Sequence, residues 1–134
     1  VTPMTVPIFY PGLATLLAIV LYLCIWFRVG QMRREHGIVA PAVTGHPAFE
    51  RAYRVQMNTV EQLVAFLPML WLFAVLIDGE WAGGLGLLWV AGRIHYAVSY
   101  SRDPKTRAPG MIVSIAVTIL LTLGVAWGLI VLAL

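Results

Sequence analysis

The chain has 134 residues, of which 60% are hydrophobic and 11% charged, and its mean hydropathy is +0.87. An ordinary soluble domain carries roughly 25% charged residues, so this composition excludes a disordered chain and argues against a water-soluble globule. Nine Lys and Arg against six Asp and Glu leave a net charge of +3, and because the basic residues frame the apolar stretches, nucleic-acid binding is not indicated.

Four apolar spans of about 20 residues would take roughly 80 positions, which a chain of 134 accommodates with room for ends and connections. The expectation is an all-α integral membrane protein. It would form one domain over residues 1–134, a four-transmembrane-helix bundle with spans at about 8–28, 50–77, 81–101 and 108–134.

The first span is a charge-free stretch from Ile8 to Phe27, long enough to cross about 30 Å of hydrocarbon. Its flanking Arg28, Arg33 and Arg34 follow the apolar run, the reverse of a signal peptide, so it reads as an uncleaved span. Cys24, the chain's one cysteine, lies mid-span and reads as a packing residue. Residues 28–47, with Gly30, Gly37, Gly45, Pro41 and Pro47, read as a helix end and a basic loop. The second span opens amphipathically with FERAYRVQMNTVEQ and turns apolar, with Pro68 as an expected kink. Asp78 to Trp81 form a short acidic turn. The third span is the weakest, with Gly83, Gly84, Gly86, Gly92, Arg93 and His95 inside it. Asp103 and Pro104 read as an N-cap and first helical position, and a final span runs uncharged from Ala108 to Leu134.

Every Lys and Arg lies beside the first-to-second or the third-to-fourth connection. The positive-inside rule therefore places both connections in the cytoplasm and both chain ends in the opposite compartment.

Ionisable side chains at membrane depth are costly, and they usually face a bundle interior, pair, or mark a functional pathway. At 100° per residue, Arg51, Arg54, Asn58 and Glu61 fall at about 0°, 300°, 340° and 280°, on one helical face. Arg93, Tyr96 and Tyr100 repeat the pattern in the third span, at about 0°, 300° and 340°. Matching depths put Glu61 near Arg93, with Arg51, Arg54 and Arg107 nearer the water. The result is a cationic pocket suited to a small anionic ligand with acid groups for arginine forks and an ammonium for Glu61. A short acidic peptide fits. An arginine beside a bound thiol would also stabilise its thiolate. The plain alternative is that Arg51 and Arg54 snorkel to lipid phosphates while Glu61 and Arg93 form a structural ion pair. His36, His46 and His95 lack metal-ligand spacing, so no metal is expected. Gly124 and Gly128 form a GxxxG pattern that permits close helix contact.

FERAYRVQMNTVEQ (residues 49–62), the preceding TGHPAFER loop and RIHYAVSYSRDPKTR (residues 93–107) resemble the membrane-associated proteins in eicosanoid and glutathione metabolism, the MAPEG family. That family includes microsomal glutathione transferases, leukotriene C4 synthase and the non-enzymatic five-lipoxygenase-activating protein. The resemblance implies a homotrimer with glutathione bound between neighbouring subunits and a lipophilic electrophile or hydroperoxide arriving from the bilayer. Carried onto this chain, it implies that Arg33, Arg54, Asn58, Glu61, Arg93, Tyr96 and Tyr100 bind glutathione, with Arg107 as the catalytic, thiolate-stabilising residue. Gln62 and His95 depart from leukotriene C4 synthase, where an aromatic and a basic residue stand. Three functions follow for test: a glutathione transferase, a non-enzymatic lipid- or glutathione-binding scaffold, and a small proton-coupled exporter. Depth disfavours the exporter, because Glu61 lies near one face among arginines rather than within reach of both sides.

Overall fold

The computed structural model describes residues 7–134, which form four α-helices: α1 (Phe9–His36), α2 (Pro47–Leu76), α3 (Gly79–Arg102) and α4 (Ala108–Ala133). A single 3-10 turn, Pro104–Thr106, lies between α3 and α4, and no strand occurs among the described residues. The chain is thus an all-helical membrane bundle. The expected N-terminal end falls on residues 1–6, outside the described residues.

Helix ends follow local chemistry. Gly37 adopts φ 65° and closes α1 in a left-handed conformation, and Arg33, Arg34 and His36 occupy the last turn where the helix dipole favours cations. His46 caps α2 by accepting from the Ala48 backbone N–H at 3.1 Å, with Pro47 at the first position. Asp78 caps α3 through the Glu80 N–H at 2.9 Å. Asp103 does act as a cap with Pro104 behind it, but it caps the 3-10 turn, accepting from Lys105 N–H at 3.0 Å.

The basic ends of α1 and α2 extend past the apolar stretches: α1, expected to end at about residue 28, runs on to His36, and α2, expected to open amphipathically at about residue 50, starts at Pro47. At 28 and 30 residues these helices are about 42 and 45 Å long, more than the roughly 30 Å hydrocarbon layer. Their charged turns therefore stay helical beyond the apolar zone. Around Pro68, α2 continues without interruption.

The helices α1, α2 and α4 are each long and apolar enough to cross a membrane on composition alone. The polar content of α3 keeps it from that standard, and packing shows why the bundle tolerates it. The α2–α3 pair forms the centre, each helix touching the other three, with α1 and α4 on opposite sides. Arg93, Tyr96 and Trp89 of α3 turn inward, whereas Leu88, Ile94 and Val98 face outward. Apolar side chains thus meet the surroundings and polar ones meet the bundle.

Phe66, Leu70, Trp89, Val117 and Leu121 fill the middle of the core, and Phe66 stacks on Trp89 with ring centroids 4.1 Å apart. Glycines set the closest helix approach. A Cβ on Gly110 would lie 2.5 Å from the Gly92 carbonyl oxygen and 2.6 Å from the Tyr96 nitrogen, so α3 and α4 cross backbone to backbone. The GxxxG of α4 works inside the subunit: Gly124 receives the Phe73 ring and Gly128 faces Leu76, both from α2. Cys24 does not pack as expected, because its position on α1 is exposed. The residue lies on the outward rim of the α1–α3 seam, beside Ile25, which takes the buried position.

Candidate functional site

The polar stripe of α2 divides on folding. Asn58 and its neighbour Thr59 are buried against α3, whereas Arg54 and Glu61 lie on an outer edge. Between Asn58 and Thr59 sits Arg93, fully buried on α3. One guanidinium nitrogen, Nη2, donates to Asn58 Oδ1 and to Thr59 Oγ1, each at 2.8 Å. The Thr59 hydroxyl in turn donates to the Val55 carbonyl at 2.7 Å, which fixes its lone pairs toward the arginine. Arg93 Nε and Nη1 have no hydrogen-bond partner among the described residues.

From Arg93 the polar side chains of α3 rise in a column. Its guanidinium carbon lies 4.1 Å from the centroid of Tyr96, a distance at which a cation is attracted by the ring face. Tyr96 then meets Tyr100 with centroids 5.5 Å apart, and the Arg107 guanidinium stands 5.8 Å from the Tyr100 ring. Tyr96 is buried, Tyr100 half-buried and Arg107 exposed, so the column runs from the core to the surface. Arg107 is steadied by its own turn, donating from Nη1 to the Pro104 carbonyl at 3.4 Å. The spacing of residues 93, 96 and 100 thus does put three polar groups on one face.

Glu61 is not beside Arg93, contrary to the expectation from depth. Its carboxylate pairs with Arg54 on the same helix at 3.7 Å, with both side chains about half exposed (55% and 53%). The cause is angular. Arg93 enters between Asn58 and Thr59, and at 100° per residue Glu61 lies about 60° from the first and about 160° from the second. Equal depth does not imply a shared face. Glu61 instead borders a shallow groove between α2 and α4, with Gln62, Ala65, Ile115 and Thr118.

Arg33 stands apart from this column. It donates from Nη1 to the Ala42 carbonyl at 2.7 Å and lies 4.8 Å over the Phe49 ring, clasping the α1–α2 connection to the start of α2. Within one subunit, therefore, Asn58, Arg93, Tyr96, Tyr100 and Arg107 come together. Arg54 and Glu61 lie on the adjoining outer edge of α2, one turn to either side of Asn58, and Arg33 occupies a third place.

Thr59 is the member that sequence reasoning missed. The threonine lies off the charged stripe of α2 and carries no ionisable group to draw attention to it. Its signal is its position beside Asn58 four residues after Val55, where back-bonding to a carbonyl presents the oxygen sideways. Among the described residues no group of three His, Cys, Asp or Glu is arranged to hold a metal ion. Among the described residues the one ion pair is Arg54–Glu61, so Arg93 and Arg107 carry positive charge without a carboxylate partner, which attracts anions.

Comparison with known proteins gives a consistent result. The MAPEG family profile matches residues 11–127. An uncharacterized protein of Synechocystis sp. is 44% identical over 115 residues, covering 86% of this chain and 84% of its own. Human microsomal glutathione S-transferase 2 is 38% identical over 102 residues, 76% of this chain and 69% of its own. Guinea-pig (Cavia porcellus) leukotriene C4 synthase is 36% identical over 93 residues, 69% of this chain and 62% of its own. With a profile spanning all four helices and relatives this similar, the chain belongs to the MAPEG family.

Proposed function

We propose that this protein is an integral-membrane glutathione transferase, which joins glutathione to a lipophilic electrophile or uses it to reduce a hydroperoxide. The observation that carries the reading is the column from buried Arg93 through Tyr96 and Tyr100 to exposed Arg107. Similarity to microsomal glutathione S-transferase 2 and leukotriene C4 synthase supports it.

In this reading the carboxylates of glutathione are met by arginine forks, and Glu61 takes its ammonium. Arg54, Asn58, Arg93, Tyr96 and Tyr100 of one subunit make the binding wall, with Arg33 contributed across a subunit boundary. Arg107 is the catalytic residue: its fixed positive charge stabilises the sulfur anion once the thiol proton has left for solvent. The thiolate lone pair then forms the S–C bond, and the displaced electron pair leaves with the departing group or opened oxygen. No nucleophilic side chain is needed.

Two observations support a site between subunits, and the family resemblance implies that the assembly is a homotrimer. Glu61, two turns further into α2 than its partner Arg54, keeps its carboxylate half exposed on the outer edge of the bundle, a costly place at membrane depth unless a neighbour covers it. Arg33 also lies away from the column that it would have to serve. The basic residues of the two connections support a site on the cytoplasmic side with both chain ends opposite, as the positive-inside rule would have it.

The test is Arg107→Ala. Glutathione binding, followed by isothermal titration, should persist, while turnover falls by about 10²-fold or more, as for loss of a group that stabilises developing charge. Unchanged turnover rejects the role. One observation favours a second reading, a non-enzymatic lipid- or glutathione-binding scaffold: Arg93 is enclosed and engaged by Asn58 and Thr59, as a structural arginine would be. Ultraviolet thiolate absorbance separates the two. Signal on saturating the protein with glutathione at neutral pH supports the enzyme, and silence supports the scaffold.

A further inference from the structure

On the side of the bundle away from Glu61, α1 and α3 run parallel, and a groove of about 360 Å³ opens between them with α2 as its floor. The floor is apolar, made by Ile25, Ala52, Val55 and Ala97. At its mouth stand Arg28 and Arg102, each four residues beyond an uncharged lining residue, Cys24 and Val98. Four residues advance about 6 Å along a helix, so both cations rise one turn above an apolar slot at the basic end of the bundle.

Neither arginine has an acidic partner: the one ion pair among the described residues is Arg54–Glu61. No carboxylate lines the groove. Ser101, also at the mouth, spends its hydroxyl proton on the Ala97 carbonyl at 2.7 Å, which leaves head-group recognition to the guanidinium forks.

We propose that this groove is a binding site for an anionic phospholipid of the surrounding bilayer, with its phosphate between Arg28 and Arg102 and one acyl chain along the slot past Cys24. Charge complementarity selects the head group. Two cations over a lining without a carboxylate suit a phosphate diester and repel the trimethylammonium of a zwitterionic lipid. The apolar floor suits a hydrocarbon chain, and it opens sideways to the bilayer, so the occupant needs no passage through water. The site is independent of the glutathione reading.

Native mass spectrometry of the purified full chain, with palmitoyl-oleoyl phosphatidylglycerol, phosphatidylcholine or oleate added, tests the assignment. Phosphatidylglycerol should be retained in preference to the other two. Arg28→Gln with Arg102→Gln should weaken its retention by about fivefold for each arginine removed, whereas Lys105→Gln, with the same charge change outside the groove, should not. Val98→Trp keeps both arginines and fills the slot from an exposed position, so it too should lower retention while circular dichroism stays helical. Equal losses in Lys105→Gln and the double variant overturn the site in favour of general surface charge. Retention of oleate as strong as that of phosphatidylglycerol, or full retention by Val98→Trp, overturns it as well.

Discussion

Arg93 is a buried cation whose hydrogen-bond partners are two uncharged oxygens, so its local stability depends on Asn58 and Thr59 rather than on a carboxylate. Hydrogen bonds to charged groups contribute about 1.5–3 kcal/mol in folded proteins. Thr59→Val keeps the shape and removes one acceptor. We expect it to destabilise the bundle by about 1–3 kcal/mol, read as a lower unfolding midpoint in detergent. Arg54→Gln removes only a half-exposed ion pair and should shift that midpoint by less than about 1 kcal/mol in a monomeric preparation. A similar loss in both variants would undo the assignment of Arg93 as the buried anchor. These residues also mark how far the sequence is informative. The helical period alone places residues 93, 96 and 100 on one face. Which α2 residues meet them depends on the rotation of one helix against another, and no pattern within α2 records that. Depth is readable and facing is not, so depth alone matches Glu61 to Arg93 and passes over Thr59.

At the scale of the helices, α3 is the least hydrophobic and yet belongs to the central pair. Its glycines explain the arrangement, because a helix stripped of side chains on one strip lets its neighbour approach until backbones touch. Gly110→Ala would drive a methyl carbon against the Gly92 carbonyl oxygen and the Tyr96 nitrogen, at 2.5 and 2.6 Å. Neither is a flexible side-chain end. The expected cost is about 1–3 kcal/mol of overpacking, together with displacement of Tyr96. Gly84→Ala meets open space and should leave the melting temperature unchanged or raised, since alanine is the better helix former. If the two variants melt alike, the close crossing of α3 and α4 is wrong. Four helices, their connections and the cap at Asp103 are all readable from periodicity and turn chemistry. The turns of α1 beyond residue 28 are not, because hydropathy registers the oily layer and is blind to helix that continues into water, whereas the charged start of α2 is readable from its one-faced polar stripe.

For the whole molecule, the Lys and Arg residues gather at the end where α1 and α3 finish and α2 and α4 begin. With Cys24→Ser as background, Lys105→Cys and Glu80→Cys should react with a membrane-impermeant maleimide from opposite sides of sealed vesicles. Glu80→Cys labels from outside the cytoplasm, and Lys105→Cys only once the membrane is opened. The reverse pattern would move the proposed glutathione site to the other compartment.

The notches at Gly124 and Gly128 carry a consequence for assembly. In many single-pass proteins such a pair is the handle by which two chains grip each other. Here Phe73 and Leu76 of the same chain already fill it, so α4 offers neighbours only a rounded, oily back of Leu120, Leu123, Trp127 and Ile130. A multimer of this protein would have to be cemented on other ground, and loss of either glycine should loosen the monomer before it separates any copies.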